Sequence, residues 1–149
     1  MTQNTIRLQL QDESETFTIP ESLNQTTVLY FMRAAICPQC NRHAREIDAA
    51  LPELAQRGMG AIIIVPEDTQ AAQKVKERNH LSLPVMASNG DAHALVGLEK
   101  KVLGLIQQSG TVVVNKAGEV LYKRIATNPE GSFDSREFET FLASQPIVA

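Results

Sequence analysis

The chain has no tryptophan, two tyrosines and five phenylalanines, so aromatic residues make up only 5% of it. Its only cysteines are Cys37 and Cys40. That excludes a small secreted scaffold framed by disulfides, which needs several pairs. Long apolar runs are also missing. The longest, Ala61-Ile62-Ile63-Ile64-Val65, is far below the ~20 residues that span a bilayer. Basic residues do not predominate: 14 stand against 17 acidic ones, for a net charge of −3. No tail or block concentrates them, so neither a nucleic-acid partner nor an anionic membrane surface is expected. The N-terminus, Met1-Thr2-Gln3-Asn4-Thr5, lacks the basic and apolar regions of a secretory signal. A cytoplasmic location is the expectation.

What remains is an ordinary globular composition, with 43% hydrophobic and 21% charged residues over 149 positions. That length suits a single domain over residues 1–149, able to bury roughly two thirds of its unfolded surface. No repeat, low-complexity segment or linker interrupts it.

Hydrophobic periodicity sets the expected elements. Residues 5–10 alternate, with Ile6, Leu8 and Leu10 on one side, which reads as a half-buried strand. Phe17 and Ile19 suit a hairpin partner ending at Pro20. Residues 26–32 form a continuous β-prone run, fitting a strand buried on both faces. Ala44, Ile47, Leu51 and Leu54 then repeat at helical spacing, and Pro52 should break that helix. A second buried strand is expected over 60–65. A polar helix over 67–78 should turn Ala71, Ala72 and Val75 inward. Short elements follow: a strand at 83–86, a turn at 89–91 and a helix at 93–96. Residues 111–114 and 119–123, joined by Asn115-Lys116-Ala117-Gly118, read as a hairpin. Asp134 and Glu137 have capping-box spacing ahead of a last helix that buries Phe138, Phe141 and Leu142. This order predicts an α/β fold, a mixed central sheet with helices on both faces. Residues 101–108 carry Val102, Leu103, Leu105 and Ile106. They read as a core-covering helix, or alternatively as a cover for the site mouth or a contact between copies.

The spacing Cys37-Pro38-Gln39-Cys40 is the most informative feature. A strand delivers the chain to a helix whose first residue is Pro38, with Cys37 at the N-cap. Unpaired N–H groups and the helix dipole there favour thiolate, the nucleophilic form. Arg33 adds positive charge nearby. Cys40, one turn on, is close enough to form a disulfide with Cys37. One thiol can attack and the other resolve. On this reading Cys37 is exposed and Cys40 faces the core. Two other readings stay open. Both sulfurs could be small core hydrophobes, although a helix start beside proline suits that poorly. They could also hold zinc, but one pair with scattered His43, His80 and His93 falls short of a usual four-ligand set. His43 is expected on the solvated surface, with a general-base role as the alternative. His80 and His93 fit helix surface or turn. Arg42 and Arg45 should pair with Glu46 or solvent.

The segment Val28-Leu29-Tyr30-Phe31-Met32-Arg33-Ala34-Ala35-Ile36-Cys37-Pro38-Gln39-Cys40 resembles the active-site region of the thioredoxin superfamily. It is most similar to the peroxiredoxin-like branch, the alkyl hydroperoxide reductase/thiol-specific antioxidant group. Ile62-Ile63-Ile64-Val65-Pro66-Glu67-Asp68, Leu83-Pro84-Val85-Met86 and Thr111-Val112-Val113-Val114-Asn115-Lys116-Ala117-Gly118 extend the likeness over roughly residues 15–143. The resemblance implies a thioredoxin-like fold and thiol redox activity with no bound cofactor. The family's Pro-x-x-x-Thr-x-x-Cys signature would place its peroxidatic cysteine at Cys40, its threonine at Cys37 and its proline at Arg33. Its peroxide-activating arginine would fall near Ser109, where this chain has none. A thioredoxin frame instead makes Cys37 the nucleophile and Cys40 the resolver. That frame sets Gly110, before Thr111, where thioredoxins carry a cis-proline.

The expected function is a dithiol–disulfide cycle at Cys37 and Cys40 that reduces peroxide or disulfide substrates. Cys37 is the expected attacker. A thioredoxin- or glutathione-like thiol system would serve as reductant. One alternative is a protein-disulfide oxidoreductase without peroxidase activity. The other is a non-enzymatic binding or metal-binding module on the same fold.

Overall fold

Alternation along the central strands decides where everything else packs. The computed structural model describes residues 5–88, 91–98, 100–101 and 106–147. The central strands are β3 (Thr26–Phe31) and β4 (Met59–Val65), paired in parallel from Thr26 opposite Met59 to Phe31 opposite Ile64. Because successive side chains point to opposite faces, Val28, Tyr30, Ala61, Ile63 and Val65 join one buried cluster. Leu29, Phe31, Ile62 and Ile64 join another on the other side. This two-sided burial is why these stretches read as unbroken apolar runs.

The sheet grows outward from this pair. A hairpin of β1 (Leu8–Asp12) and β2 (Glu15–Ile19) forms one edge, next to β5 (Val85–Ala87). β8 (Ser109–Val114) and β9 (Val120–Ala126) form the other. The seven-stranded order is β2-β1-β5-β4-β3-β8-β9, with β3, β4 and β5 parallel and the remaining pairings antiparallel. The β8–β9 turn uses Gly118 at φ 86°, where a Cβ would stand 2.9 Å from the Ile6 carbonyl oxygen.

Helices cover both faces. α1 (Pro38–Ala49), α2 (Leu51–Gln56), α3 (Thr69–Asn79) and α5 (Ser135–Ala143) bury Ile47, Leu54, Val75 and Phe138 in the first cluster. The short α4 (Asp91–Leu95) buries Ala92 in the second. Pro52 separates α1 from α2 as expected, because it has no N–H to continue the ladder. Asp68 caps α3 through Ala71 N–H, and Asp134 caps α5 through Glu137 N–H. Only half of the expected capping box forms, because the Glu137 carboxylate accepts from Tyr122 and Arg124 instead.

Several expectations need correction. The first strand starts at Leu8, while Thr5 makes an isolated bridge to Glu119. Phe141 is only half-buried. Residues 100–101 and 106–107 pair as a two-stranded ladder, β6 and β7, so the expected helix does not run through this segment. Val102, Leu103, Leu105, Asn89 and Gly90 lie outside the described residues.

Candidate active site

The two sulfurs sit where β3 ends and α1 begins. Met32 N–H still bonds the Ile64 carbonyl, and the chain then turns at residues 33–36, closed by Cys37 N–H on the Ala34 carbonyl at 3.1 Å. Cys37 has extended backbone (φ −65°, ψ 116°) and caps α1, with Pro38 in the first turn. Its Sγ accepts from the Cys40 N–H at 3.3 Å. The Cys40 Sγ accepts from the Arg33 N–H at 3.4 Å. Both cysteines are free thiols.

This arrangement divides the pair electrostatically. A hydrogen bond from the Cys40 side chain is the main force that lowers the Cys37 pKa to about 6, against the penalty of burial. The Cys40 N–H and the Arg33 charge add to it. The same hydrogen bond, together with burial, pushes the Cys40 thiol up. One proton shared between two sulfurs stays on the inner one. The expected N-cap role of Cys37 is present, but its expected exposure is not. Cys37 is only 2% exposed, because its sulfur packs into the first core cluster, while neighbouring Ile36 is 80% exposed.

A polar clamp from α1 and α3 holds the turn in place. Glu67 accepts the Ala35 N–H with both carboxylate oxygens at 3.2 Å. Arg78 donates to the Ala35 carbonyl at 3.0 Å, and buried Asn41 donates to the same carbonyl at 2.9 Å and to that of Cys37 at 2.7 Å. Asn79 donates to Asn41 at 2.6 Å and accepts from Arg45 at the same distance. Arg45 therefore pairs with Asn79 rather than with Glu46, whereas Arg42 does reach Glu46 at 3.8 Å. None of this network was legible in sequence. Asn41, Arg78 and Asn79 look like ordinary polar helix positions until the fold brings α1 and α3 together.

A second polar cluster lies beneath Cys40. The Tyr30 hydroxyl is 2.9 Å from His43 Nδ1 and 2.8 Å from the Ser132 hydroxyl. Ser132 donates to the Pro129 carbonyl, and Thr111 donates to the Ser132 carbonyl at 2.7 Å. His43 is thus not a surface residue. It is 2% exposed, edge-on to Tyr30 and tilted against Phe133. Burial, reinforced by Arg42, lowers its pKa to about 4 and keeps it neutral. His93 is also buried, on the other face, with Nε2 at 2.8 Å from the Met32 carbonyl and Nδ1 at 3.1 Å from Ser88. His80 takes the expected exposed turn position, at the left-handed C-cap of α3. The three histidines stand apart from one another, and no three metal-ligating side chains converge among the described residues.

The supporting residues divide in the same way. Arg33 and Pro38 flank the sulfurs. Gly110 lies within β8, opposite Phe31 and Ile125, not ahead of the strand. It is glycine because a Cβ would stand 2.6 Å from the Arg124 carbonyl oxygen. The cis peptide among the described residues is Ile19–Pro20, remote in sequence from this strand. Thr111 bonds Ser132, which in turn bonds Tyr30.

A strand–CxxC–helix junction on a mixed sheet of this order defines a thioredoxin-like fold of thiol redox type. The peroxidoxin BcpB from Mycobacterium tuberculosis superposes with a TM-score of 0.78 at 21% identity, covering 95% of this chain and 94% of that one. Peroxiredoxin Q from Xanthomonas campestris gives 0.73 at 17%, covering 92% and 88%. A peroxiredoxin-like protein from Aquifex aeolicus gives 0.79 at 10%, covering 95% and 85%. Among curated proteins, none matches the chain. Residues 2–123 match the AhpC/TSA family, and the chain belongs to that family. It is a thiol-dependent oxidoreductase of the peroxiredoxin kind, with a peroxide as substrate and a thiol reductant as partner.

Proposed function

We propose that Cys37 is the residue that meets the peroxide and that Cys40 resolves it. The single observation that carries this assignment is the asymmetric sulfur pair. The Cys40 side chain and N–H both donate to Cys37, which favours thiolate at Cys37 and thiol at Cys40. In the first step the Cys37 thiolate attacks one peroxide oxygen and the O–O bond breaks. The other oxygen leaves as the alcohol or water after taking a proton. Cys37 becomes a sulfenic acid, oxidised by two electrons. Cys40 then attacks the Cys37 sulfur, the S–S bond forms, and hydroxide leaves as water with the Cys40 proton. A thioredoxin- or glutathione-like thiol returns two electrons and restores the dithiol.

Arg33 supports the thiolate by its charge, and Pro38 supports it by starting the helix that delivers N–H groups to Cys37. Gly110 and Thr111 act at a distance, through close strand packing and through Ser132. The reading takes residues 1–149 as one domain, consistent with a continuous sheet buried on both sides. It also takes the cytoplasm as the compartment, where a reducing thiol pool keeps the cycle running.

The test is stopped-flow mixing of reduced protein with one equivalent of hydrogen peroxide, followed by thiol counting. Loss of both thiols orders of magnitude faster than for a free thiol is the expected result. Loss at the free-thiol rate would overturn the rapid dithiol cycle proposed for Cys37 and Cys40.

A further inference from the structure

The buried hydroxyl beneath Cys40 has no part in the steps just described. Yet the second step asks Cys40, which is fully buried, to pass through a thiolate. The same thiolate reappears as the leaving group when a reductant opens the disulfide at Cys37. A buried sulfur anion needs donors, since burial without them costs several kcal/mol, and the Cys40 sulfur already has one, the Arg33 N–H at 3.4 Å.

Tyr30 and Cys40 belong to the same buried cluster, and the Tyr30 hydroxyl bonds His43, one helical turn from Cys40 on α1, which brings it next to the Cys40 side chain; each group also shifts the ionisation of the other. The hydrogen-bond order around that hydroxyl follows from its partners. Ser132 donates its own proton to the Pro129 carbonyl at 2.6 Å. Its contact with Tyr30 at 2.8 Å therefore takes the Tyr30 proton. His43 Nδ1, at 2.9 Å, then carries the hydrogen that donates to the Tyr30 oxygen. The tyrosine oxygen is thus held by a donor on one side, and its proton rests on Ser132. The ionisable groups around it are Cys37, Cys40 and His43. Ser132 bonds it and Thr111 pairs opposite it on β8, and neither carries a charge.

We propose that Tyr30, oriented by His43, joins the Arg33 N–H as the second donor that carries Cys40 through its thiolate in both directions of the cycle. At rest the hydroxyl serves Ser132. As Cys40 gives up its proton, the hydroxyl rotates to donate to the sulfur, and His43 N–H on its oxygen strengthens that donation. No extra proton acceptor is required. In closure the Cys40 proton ends on the departing hydroxide, and in opening the incoming thiol supplies it. Tyr30 is a positioning and stabilising group for Cys40, and His43 acts through Tyr30. The proposal rests on the assignment of Cys40 as resolver, but the opening step can be read without any peroxide chemistry.

The experiment therefore uses two readouts. Closure is followed across pH 6–10 by sulfenate lifetime after a peroxide pulse, with dimedone trapping and mass spectrometry. Opening is followed on diamide-oxidised protein treated with dithiothreitol. Tyr30→Phe should slow both steps about ten- to a hundredfold, the size expected for a lost hydrogen bond to a charged group. It should also make the closing rate climb further with pH, because Cys40 gives up its proton in that step. Formation of the Cys37 sulfenate should be unchanged. His43→Leu should reproduce part of the loss, and His43→Gln, which keeps an N–H donor, should restore it. Val113→Ala, in the same cluster, controls for a loosened core and should leave the pH profile in place. Wild-type opening and closing rates in both Tyr30→Phe and His43→Leu would overturn the proposal. So would an equal slowing in Val113→Ala. If wild-type protein forms no sulfenate but Tyr30→Phe still slows opening, the peroxide reading fails and this proposal stands.

Discussion

The two faces of the central strand each bury a histidine, and the two histidines do different work. On one face His43 joins Tyr30 and Ser132 under the Cys40 sulfur. On the other, His93 holds the Met32 carbonyl at the end of β3 and edges against Phe31 at a centroid distance of 5.1 Å. The first neighbours a reacting atom, whereas the second ties down backbone just ahead of the active-site turn. Burial alone does not mark a histidine as chemical. What distinguishes the two is the partner at the other end of the hydrogen bond, a hydroxyl beside a thiol against a main-chain carbonyl.

That contrast can be broken or sharpened by substitution. The largest effect belongs to the face that carries the sulfurs. Cys37→Ser should abolish peroxide-driven disulfide formation, at least about a thousandfold by thiol counting. Cys40→Ser should still form a dimedone-reactive sulfenate at Cys37. If Cys40→Ser forms none while Cys37→Ser does, the roles are reversed.

The next effect concerns pH. Alkylation of Cys37 by iodoacetamide should rise as pH passes through about 6 and level off near neutrality. Cys40→Ala removes the side-chain donor, so its midpoint should move upward. Identical midpoints would mean that Cys40 does not hold the thiolate.

The clamp above the turn should answer in stability. Asn79→Leu leaves the buried Asn41 side-chain oxygen with only the longer bond from Arg78 at 3.4 Å, among the described residues, and frees Arg45. It should cost about 2–3 kcal/mol in urea unfolding. It should also loosen the turn enough to raise Cys37 accessibility to bulky maleimides. A loss below 1 kcal/mol would make the network ornamental.

His43 should reveal itself as a titration. Its folded pKa, about 4, lies below the unfolded value near 6.5, so the unfolded chain binds the extra proton between them. Its contribution is fully present above about pH 6.5 and is lost as pH falls toward 4. Stability should drop by on the order of 1–2 kcal/mol over that window, allowing for residual solvent screening. His43→Gln should flatten that part of the curve. The smallest effect on chemistry should come from the other face. His93→Gln should cost about 1 kcal/mol of stability and leave opening and closing rates within about twofold. A larger kinetic loss would mean that the Met32 carbonyl also governs the sulfurs.

Local chemistry made much of the molecule legible. Cys37 and Pro38 announce a helix start, since both are suited to positions with unpaired N–H groups or none to lose. The runs at β3 and β4 announce two-sided burial, and Asp134 announces a cap. Residues whose role is set by a distant partner stayed hidden. Asn41 and Asn79 look like solvated helix residues because the partner each needs is 38 positions away. Tyr30 and Ser132 are 102 apart. His43 follows Cys40 by one turn, a spacing that suits a surface position as well as a buried one. Which face of α1 turns inward is settled only when α3 and the sheet close over it.

The sequence by itself determined the α/β class, the two-sided central strands and the CxxC pair at a helix N-terminus, because each depends on neighbours within a few residues. Only the tertiary structure decided that Cys37 is buried, that α3 clamps its turn, and that a tyrosine backed by a histidine lies under Cys40. Those outcomes depend on groups far apart in the chain, whose burial becomes favourable only when each finds a partner that satisfies it.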